Sequence, residues 1–127
     1  MGEGLLALVG VGLEDGEAQA RELARRIVQL RIFPDAQGRM NRSLLEAGGA
    51  LGVVSQFTLF GDARHGRRPS YVGAAPGERA APLVDALVLA ARALGAQVVS
   101  GRFGAAMDVA LVNAGPVTLL LDTEKRF

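Results

Sequence analysis

The stretch Leu51-Gly-Val-Val-Ser-Gln-Phe-Thr-Leu-Phe60 opens as an apolar strand and then changes character. Leu51, Val53 and Val54 are residue types that pack well inside a sheet. Ser55, Gln56 and Thr58 then bring polar groups to the end of that strand, among the aromatic rings of Phe57 and Phe60. With a strand over Leu51–Leu59, alternation puts Ser55, Phe57 and Leu59 on one face and Gln56, Thr58 and Phe60 on the other. Polar side chains at a buried strand end cost desolvation unless they are bonded or used. Two readings stay open on these residues alone: they bond neighbouring backbone, or they line a site.

Outward from this stretch, helical and extended patterns alternate. Towards the N-terminus, Leu5–Val11 is a short apolar run closed by Gly12. Asp15 is placed to cap a helix over Glu17–Leu30, where Ala20, Leu23, Ala24, Ile27 and Leu30 recur at three and four. Glu22, Arg25, Arg26 and Gln29 take its other face. Ile32-Phe33 reads as a brief strand, Pro34–Gly38 as a turn, and Asn41 as the cap of a short helical turn through Leu45. Towards the C-terminus, Gly61–Gly73 is a loop rich in Arg and Gly. Helical periodicity resumes over Glu78–Leu94 and stops at Gly95. Three strand candidates follow: Gln97–Ser100, Met107–Asn113 and Val117–Asp122. The expected fold class is α+β, a mixed, largely antiparallel and barrel-like sheet with two covering helices. Without repeats or linkers, residues 1–127 read as a single domain.

Composition narrows the chemistry. The chain has 127 residues, half of them hydrophobic, so it is not of the disordered class. Fourteen Lys+Arg against thirteen Asp+Glu leave a formal charge of +1. No global field grips nucleic acid or a membrane, so any basic site must be local, and neither DNA nor membrane is an expected partner. The absence of Cys excludes disulfides, thiol nucleophiles and Cys-based zinc sites. A single His excludes the two- and three-His metal clusters, and no metal or cofactor is expected. The start lacks a basic leader region, and the apolar stretch Ala80–Leu94 is interrupted by Asp85 and Arg92. It falls below the ~18 residues of a membrane helix, so a cytoplasmic location is expected.

Three further segments carry candidate chemistry. In Asp62–Tyr71, Arg64, Arg67 and Arg68 stand in a Gly-containing loop beside one aromatic, a composition suited to phosphates and a stacked base or to plain solvation. His65, in the same loop, has no orienting carboxylate nearby except Asp62. In Ser100–Met107, small residues flank Phe103 and allow close packing. Asn113-Ala-Gly-Pro-Val-Thr118 separates two apolar runs and reads as a turn; a cis Gly-Pro bond there would aim two carbonyl oxygens, acceptors for an ammonium group, the same way. Gly10 and Gly12 precede a helix without the third glycine of a dinucleotide fingerprint, and no phosphate-loop lysine exists.

Ser55–Leu59, Gly66-Arg-Arg-Pro-Ser70, Gly101-Arg-Phe-Gly-Ala105 and Asn113–Thr118, in this order, closely resemble the D-aminoacyl-tRNA deacylase family. Leu30–Phe33 and Gly38–Leu44 are similar too, and the likeness runs from Gly4 to Asp122. The resemblance implies hydrolysis of the ester joining a D-amino acid to the 3′ end of tRNA, with glycyl-tRNA mischarged on tRNA-Ala as a further substrate. It implies a homodimer with active sites at the subunit interface. Gly115 and Pro116, through a cis bond, would present carbonyls to the substrate ammonium in the partner subunit and exclude an L side chain. Ser55, Gln56, Phe57 and Thr58 would line the pocket for the terminal adenosine and the ester, with Phe103 and Met107 beside it. No base accompanies Thr58, so attack by water is favoured, with backbone N–H groups near Phe57 on the oxyanion and the ribose 2′-OH assisting. Arg64, Arg67 and Arg68 become tRNA-contact candidates. The sequence departs from the family pattern in three places. The usual N-terminal hairpin, with an Arg that supports the Gly-Pro loop, is not matched. Ala114 stands where Asp is common, and His65 where Lys or another polar residue is usual. The alternative expectation is therefore an N-terminally truncated, non-catalytic module that binds tRNA ends or dimerises.

Overall fold

A helix placed between two strands returns the chain to the end of the sheet where it started, so the strands it joins run parallel. The computed structural model, which describes residues Met1–Phe127, is built on this rule twice. Strand β1 (Gly4–Val9) is followed by α1 (Glu17–Gln29), a small two-stranded ladder of β2 (Phe33–Pro34) and β3 (Met40–Arg42), the short helix α2 (Leu44–Ala47) and strand β4 (Ala50–Ser55). From β4 the chain passes through a 3-10 turn (Phe57–Phe60) and α3 (Gly77–Ala93) to β5 (Gln97–Ser100). The main sheet has the order β1-β4-β5 and is parallel throughout. Leu5 lies opposite Leu51 and Val9 opposite Ser55, while Val53 lies opposite Ser100. Of the strands, only β2 and β3 pair antiparallel. The expectation of a largely antiparallel, barrel-like sheet is thus corrected: both long connections carry helices, and neither can close a hairpin.

One face of the sheet is covered. Val9, Leu51 and Val53 meet Ala20, Ala24, Ile27 and Val28 of α1 and Val84, Leu87, Val88 and Ala91 of α3 in one buried cluster. Ala24 and Ala91 are wholly buried, and their small side chains let the two helices approach each other. Burying a Leu such as Leu87, 1% exposed, stabilises the fold by about 1.5–3 kcal/mol relative to leaving it in water.

The caps shift by one or two residues from the sequence expectation. Gly16, not Asp15, precedes α1, and its N–H donates to Gln19 Oε1 at 2.8 Å. Asp15 instead accepts from the Gly12 N–H at 2.7 Å, tying off the end of β1. Ser43 caps α2 in a reciprocal pair: its Oγ accepts from the Glu46 N–H at 3.1 Å, and Glu46 Oε1 accepts from the Ser43 N–H at 3.0 Å. Asn41 lies in β3 and is not a cap. These bonds hold the Glu46 carboxyl below its ordinary range, chiefly through the Ser43 N–H.

Two predicted strands do not form. Residues 106–121, which include Met107–Asn113 and most of Val117–Asp122, make no main-chain to main-chain hydrogen bond, and residues 101–120 are exposed. A strand needs a partner edge as well as an alternating pattern, and the chain leaves the β5 edge at Ser100 without returning to it. The tail is held elsewhere: Arg26 Nη1 donates to the Asp122 carbonyl at 2.8 Å, and Arg126 binds the Asp122 carboxylate at 2.5 Å. Arg126 keeps that carboxyl below its usual range.

Candidate active site

Ser55 is the last residue of the central strand β4, so it sits at the carboxyl edge of the parallel sheet. The Gln56 N–H donates to the Val9 carbonyl at 2.7 Å and holds the chain against β1 for one residue more. Then the strand ends. Phe57–Phe60 turn into a 3-10 helix, with Leu59 N–H on Gln56 O at 3.2 Å and Gly61 N–H on Thr58 O at 2.9 Å. The strand expected to reach Leu59 therefore stops at Ser55, and the two-face alternation drawn for Phe57–Phe60 is replaced by a tight turn. The polar side chains serve the turn directly: Gln56 Nε2 donates to Thr58 Oγ1 at 2.5 Å. The first N–H groups of such a turn, those of Phe57 and Thr58, have no acceptor within it.

Ser55 also lines a small cavity with Ser100, Gly101 and Phe103, against Val84 and Asp85 of α3. The structure thus brings Phe103 beside Ser55. Met107 lies next to Gly101, within 3.6 Å of where a Cβ there would stand. Gly115 and Pro116 lie in a separate exposed loop. Their peptide bond is cis, and Gly115 has φ of +122°, a conformation L side chains rarely adopt. Asn113 closes this loop: its Nδ2 donates to Thr118 Oγ1 at 2.9 Å and its Oδ1 accepts from the Val117 N–H at 3.2 Å. No hydrogen bond joins the loop to Ser55–Thr58 of the same chain.

The loop after the turn is an arm rather than a random excursion. Asp62 and Ser70 exchange both main-chain bonds, at 2.7 and 2.9 Å. Just outside that bridge, the Tyr71 ring meets the Phe57 ring edge to face, with centroids 5.1 Å apart and planes at 68°. The three arginines differ. Arg64 is held by Asp62 through Nε at 2.9 Å and Nη2 at 2.7 Å, and its own N–H reaches Asp62 Oδ1 at 3.0 Å. These contacts, the guanidinium first, lower the Asp62 carboxyl to about 2. The pair is therefore intact at and above the ordinary carboxylate range and is lost only as pH falls towards that value. Arg67 and Arg68 are exposed and form no ion pair. His65 is exposed and makes no side-chain hydrogen bond. Three residues not named as site candidates from the sequence gain a role in the structure: Tyr71 through its contact with the Phe57 ring, Asp62 through Arg64, and Asn113 in closing the separate Gly-Pro loop. An Asp two residues before an Arg and an Asn opening a Gly-Pro turn were the available signals.

The fold and the site together define an α/β protein with a polar turn and an arginine arm at the carboxyl edge of a parallel sheet. A family model described as D-Tyr-tRNA(Tyr) deacylase matches residues 1–122. The D-aminoacyl-tRNA deacylase of Roseiflexus sp. (strain RS-1) is 60% identical over 123 residues, which cover 97% of this chain and 79% of that protein. That of Symbiobacterium thermophilum is 54% identical over 127 residues, covering 100% of this chain and 84% of that protein. Among solved structures, the c-Myc DNA Unwinding Element Binding Protein superposes with a TM-score of 0.90 at 32% identity, over 96% of this chain and 83% of that one. A probable eukaryotic D-amino acid tRNA deacylase shares the fold at a TM-score of 0.60 and 17% identity, over 78% of this chain and 73% of that one. The chain belongs to the D-Tyr-tRNA(Tyr) deacylase family.

Proposed function

We propose that this protein is a hydrolase that cleaves the ester of D-aminoacyl-tRNA, releasing the D-amino acid and the tRNA. The observation that carries the reading is the match to the deacylase family over residues 1–122, which includes the whole Ser55–Thr58 turn and the Gly115-Pro116 loop. In this reading the turn supplies the parts an ester hydrolase needs. Water attacks the ester carbonyl, and the N–H groups of Phe57 and Thr58 receive the charge that develops on its oxygen. The bond to the ribose 3′ oxygen breaks, and that oxygen leaves with a proton while the neighbouring 2′-OH assists. Thr58 is engaged by Gln56, and neither a His nor a carboxylate hydrogen-bonds to it, which supports water rather than Thr58 as the nucleophile.

Discrimination against L-amino acids is assigned to Gly115 and Pro116. Their carbonyls take the α-ammonium, an L side chain meets backbone, and a D side chain points away. Glycine, having no side chain to exclude, is accepted as well. The Gly-Pro loop is exposed and closed on itself by Asn113, which suits insertion into the site of a second copy; the working unit in this reading is a homodimer. The arginine arm lies along the tRNA backbone, and the protein acts with the translation machinery in the cytoplasm. No helix is long and apolar enough to cross a membrane.

The test uses matched D-Tyr-tRNA and L-Tyr-tRNA. Release of D-Tyr with the L ester spared is expected. D-Tyr-tRNA left intact at high protein concentration would refute the reading, and equal cleavage of free D- and L-amino-acid esters would reassign the protein as a general esterase.

A further inference from the structure

The arm over Asp62–Ser70 carries three arginines that the structure treats differently. Arg64 sets one edge of its guanidinium, Nε and Nη2, on the two carboxylate oxygens of Asp62, which also receives the Arg64 N–H. A planar bidentate pair of this kind fixes orientation as well as charge. The same Asp62 pairs through its main chain with Ser70, so one residue closes the arm and braces its first side. The arm's base continues directly into the site: Gly61 bonds the Thr58 carbonyl, and Tyr71 leans on Phe57. At the tip, Gly66 adopts φ of +78° and turns the chain, leaving Arg67 and Arg68 exposed with no carboxylate partner.

We propose that Asp62 and Arg64 are positioning residues that stiffen this arm, and that Arg67 and Arg68 alone are its phosphate contacts, held at a set distance from the Phe57–Thr58 turn. The assignment rests on the aminoacyl-tRNA reading above. It divides the three arginines: one is a brace whose charge is already neutralised, and two are free cations that register the tRNA backbone while the ester lies at the sheet edge. Free cations release counterions from RNA on binding; a neutralised one does not.

The experiment measures Kd for uncharged tRNA, and KM and kcat for D-Tyr-tRNA, between 50 and 200 mM salt. The Arg67→Ala/Arg68→Ala double variant is expected to flatten the log–log salt dependence by about 1.4 to 1.8, the yield of two phosphate contacts, or roughly seven- to twelvefold across that range. Asp62→Asn and Arg64→Ala are both expected to raise Kd and KM by about two- to fivefold, the scale of an exposed pair, with the salt slope parallel to the parent and kcat held. The two brace variants differ in charge, which makes them decisive. If Arg64 itself meets a phosphate, Asp62→Asn frees it and tightens binding, while Arg64→Ala weakens binding and flattens the slope; that pattern overturns the proposal. An unchanged slope in the double variant overturns it equally. Failure of the parent protein to cleave D-Tyr-tRNA would count against the deacylase reading alone, since the slopes with uncharged tRNA still decide the roles of the arm.

Discussion

Replacing Gly61 by Ala tests whether the site turn is held by close packing. Gly61 follows the Phe57–Phe60 turn and has ordinary extended dihedrals, so its backbone tolerates a side chain. The space does not. A Cβ there would stand 2.9 Å from the Thr58 carbonyl oxygen and 3.1 Å from Tyr71 Cε1. The first neighbour is backbone, and it is also the acceptor of the Gly61 N–H, so it cannot withdraw without opening the turn. Overpacking of this kind costs about 1–3 kcal/mol. For a chain of this size each kcal/mol lowers Tm by about 3–6 °C. Relief by moving the turn displaces Thr58 and the N–H groups beside it, and displacement of about 1 Å in a site can cost on the order of a hundredfold in rate. The expected result is a lower Tm together with a 10- to 100-fold loss in kcat/KM on D-Tyr-tRNA. Gly73→Ala is the control. Its Cβ would meet only Phe60 Cδ1, at the ordinary contact distance of 3.5 Å, so that variant should be neutral or stabilised by about 0.4–1 kcal/mol. If Gly61→Ala matches Gly73→Ala in both Tm and kcat/KM, the turn is not held as described.

Other expected outcomes follow from single contacts. With water as the proposed nucleophile, Thr58→Ala should keep measurable deacylation; an acyl adduct on Thr58 found by mass spectrometry in the parent protein would contradict this. Asn113→Ala removes both bonds that close the Gly-Pro loop, so cleavage of L-Tyr-tRNA relative to D-Tyr-tRNA should rise about tenfold with little change in Tm. Unchanged discrimination would mean that the loop keeps its shape without Asn113. Leu87→Ala, in the α3 core, should lower unfolding stability by about 2–5 kcal/mol in urea titration while leaving the D/L preference intact.

Much of the fold was legible in the chain. The three-four spacing of Ala20, Ala24 and Ile27 marked α1, and Gly95 marked the end of α3, because a helix shows its buried face at a fixed period whatever lies opposite. Strand direction was less visible. Leu51–Ser55 reads the same in a parallel and in an antiparallel sheet, and only the helices before and after it give the answer. The apolar runs Met107–Asn113 and Val117–Asp122 read as two strands. A pattern of side chains states a preference for pairing and says nothing about whether an edge is within reach. The end of β4 was misplaced for the opposite reason: Phe57-Thr-Leu-Phe60 has strand-forming residues, yet the Gln56–Thr58 bond and the Gly61 N–H on Thr58 O favour a turn.

The sequence by itself determined the family and the residues at issue, since the ordered set Ser55–Thr58, Arg67-Arg68, Phe103 and Gly115-Pro116 is a property of the chain. It also determined the helix faces, because local period and local sterics need no partner. Only the tertiary structure decided which of those residues meet. It joined Tyr71 to Phe57 across a nine-residue arm that two main-chain bonds close and set Phe103 beside Ser55. It also withdrew Arg64 into a pair with Asp62 while leaving Arg67 and Arg68 free. The first two depend on distances of a few ångströms between residues well separated in the chain, set by how the chain returns on itself; the third joins residues two apart and depends on the loop backbone that brings the Asp62 carboxylate to the Arg64 guanidinium.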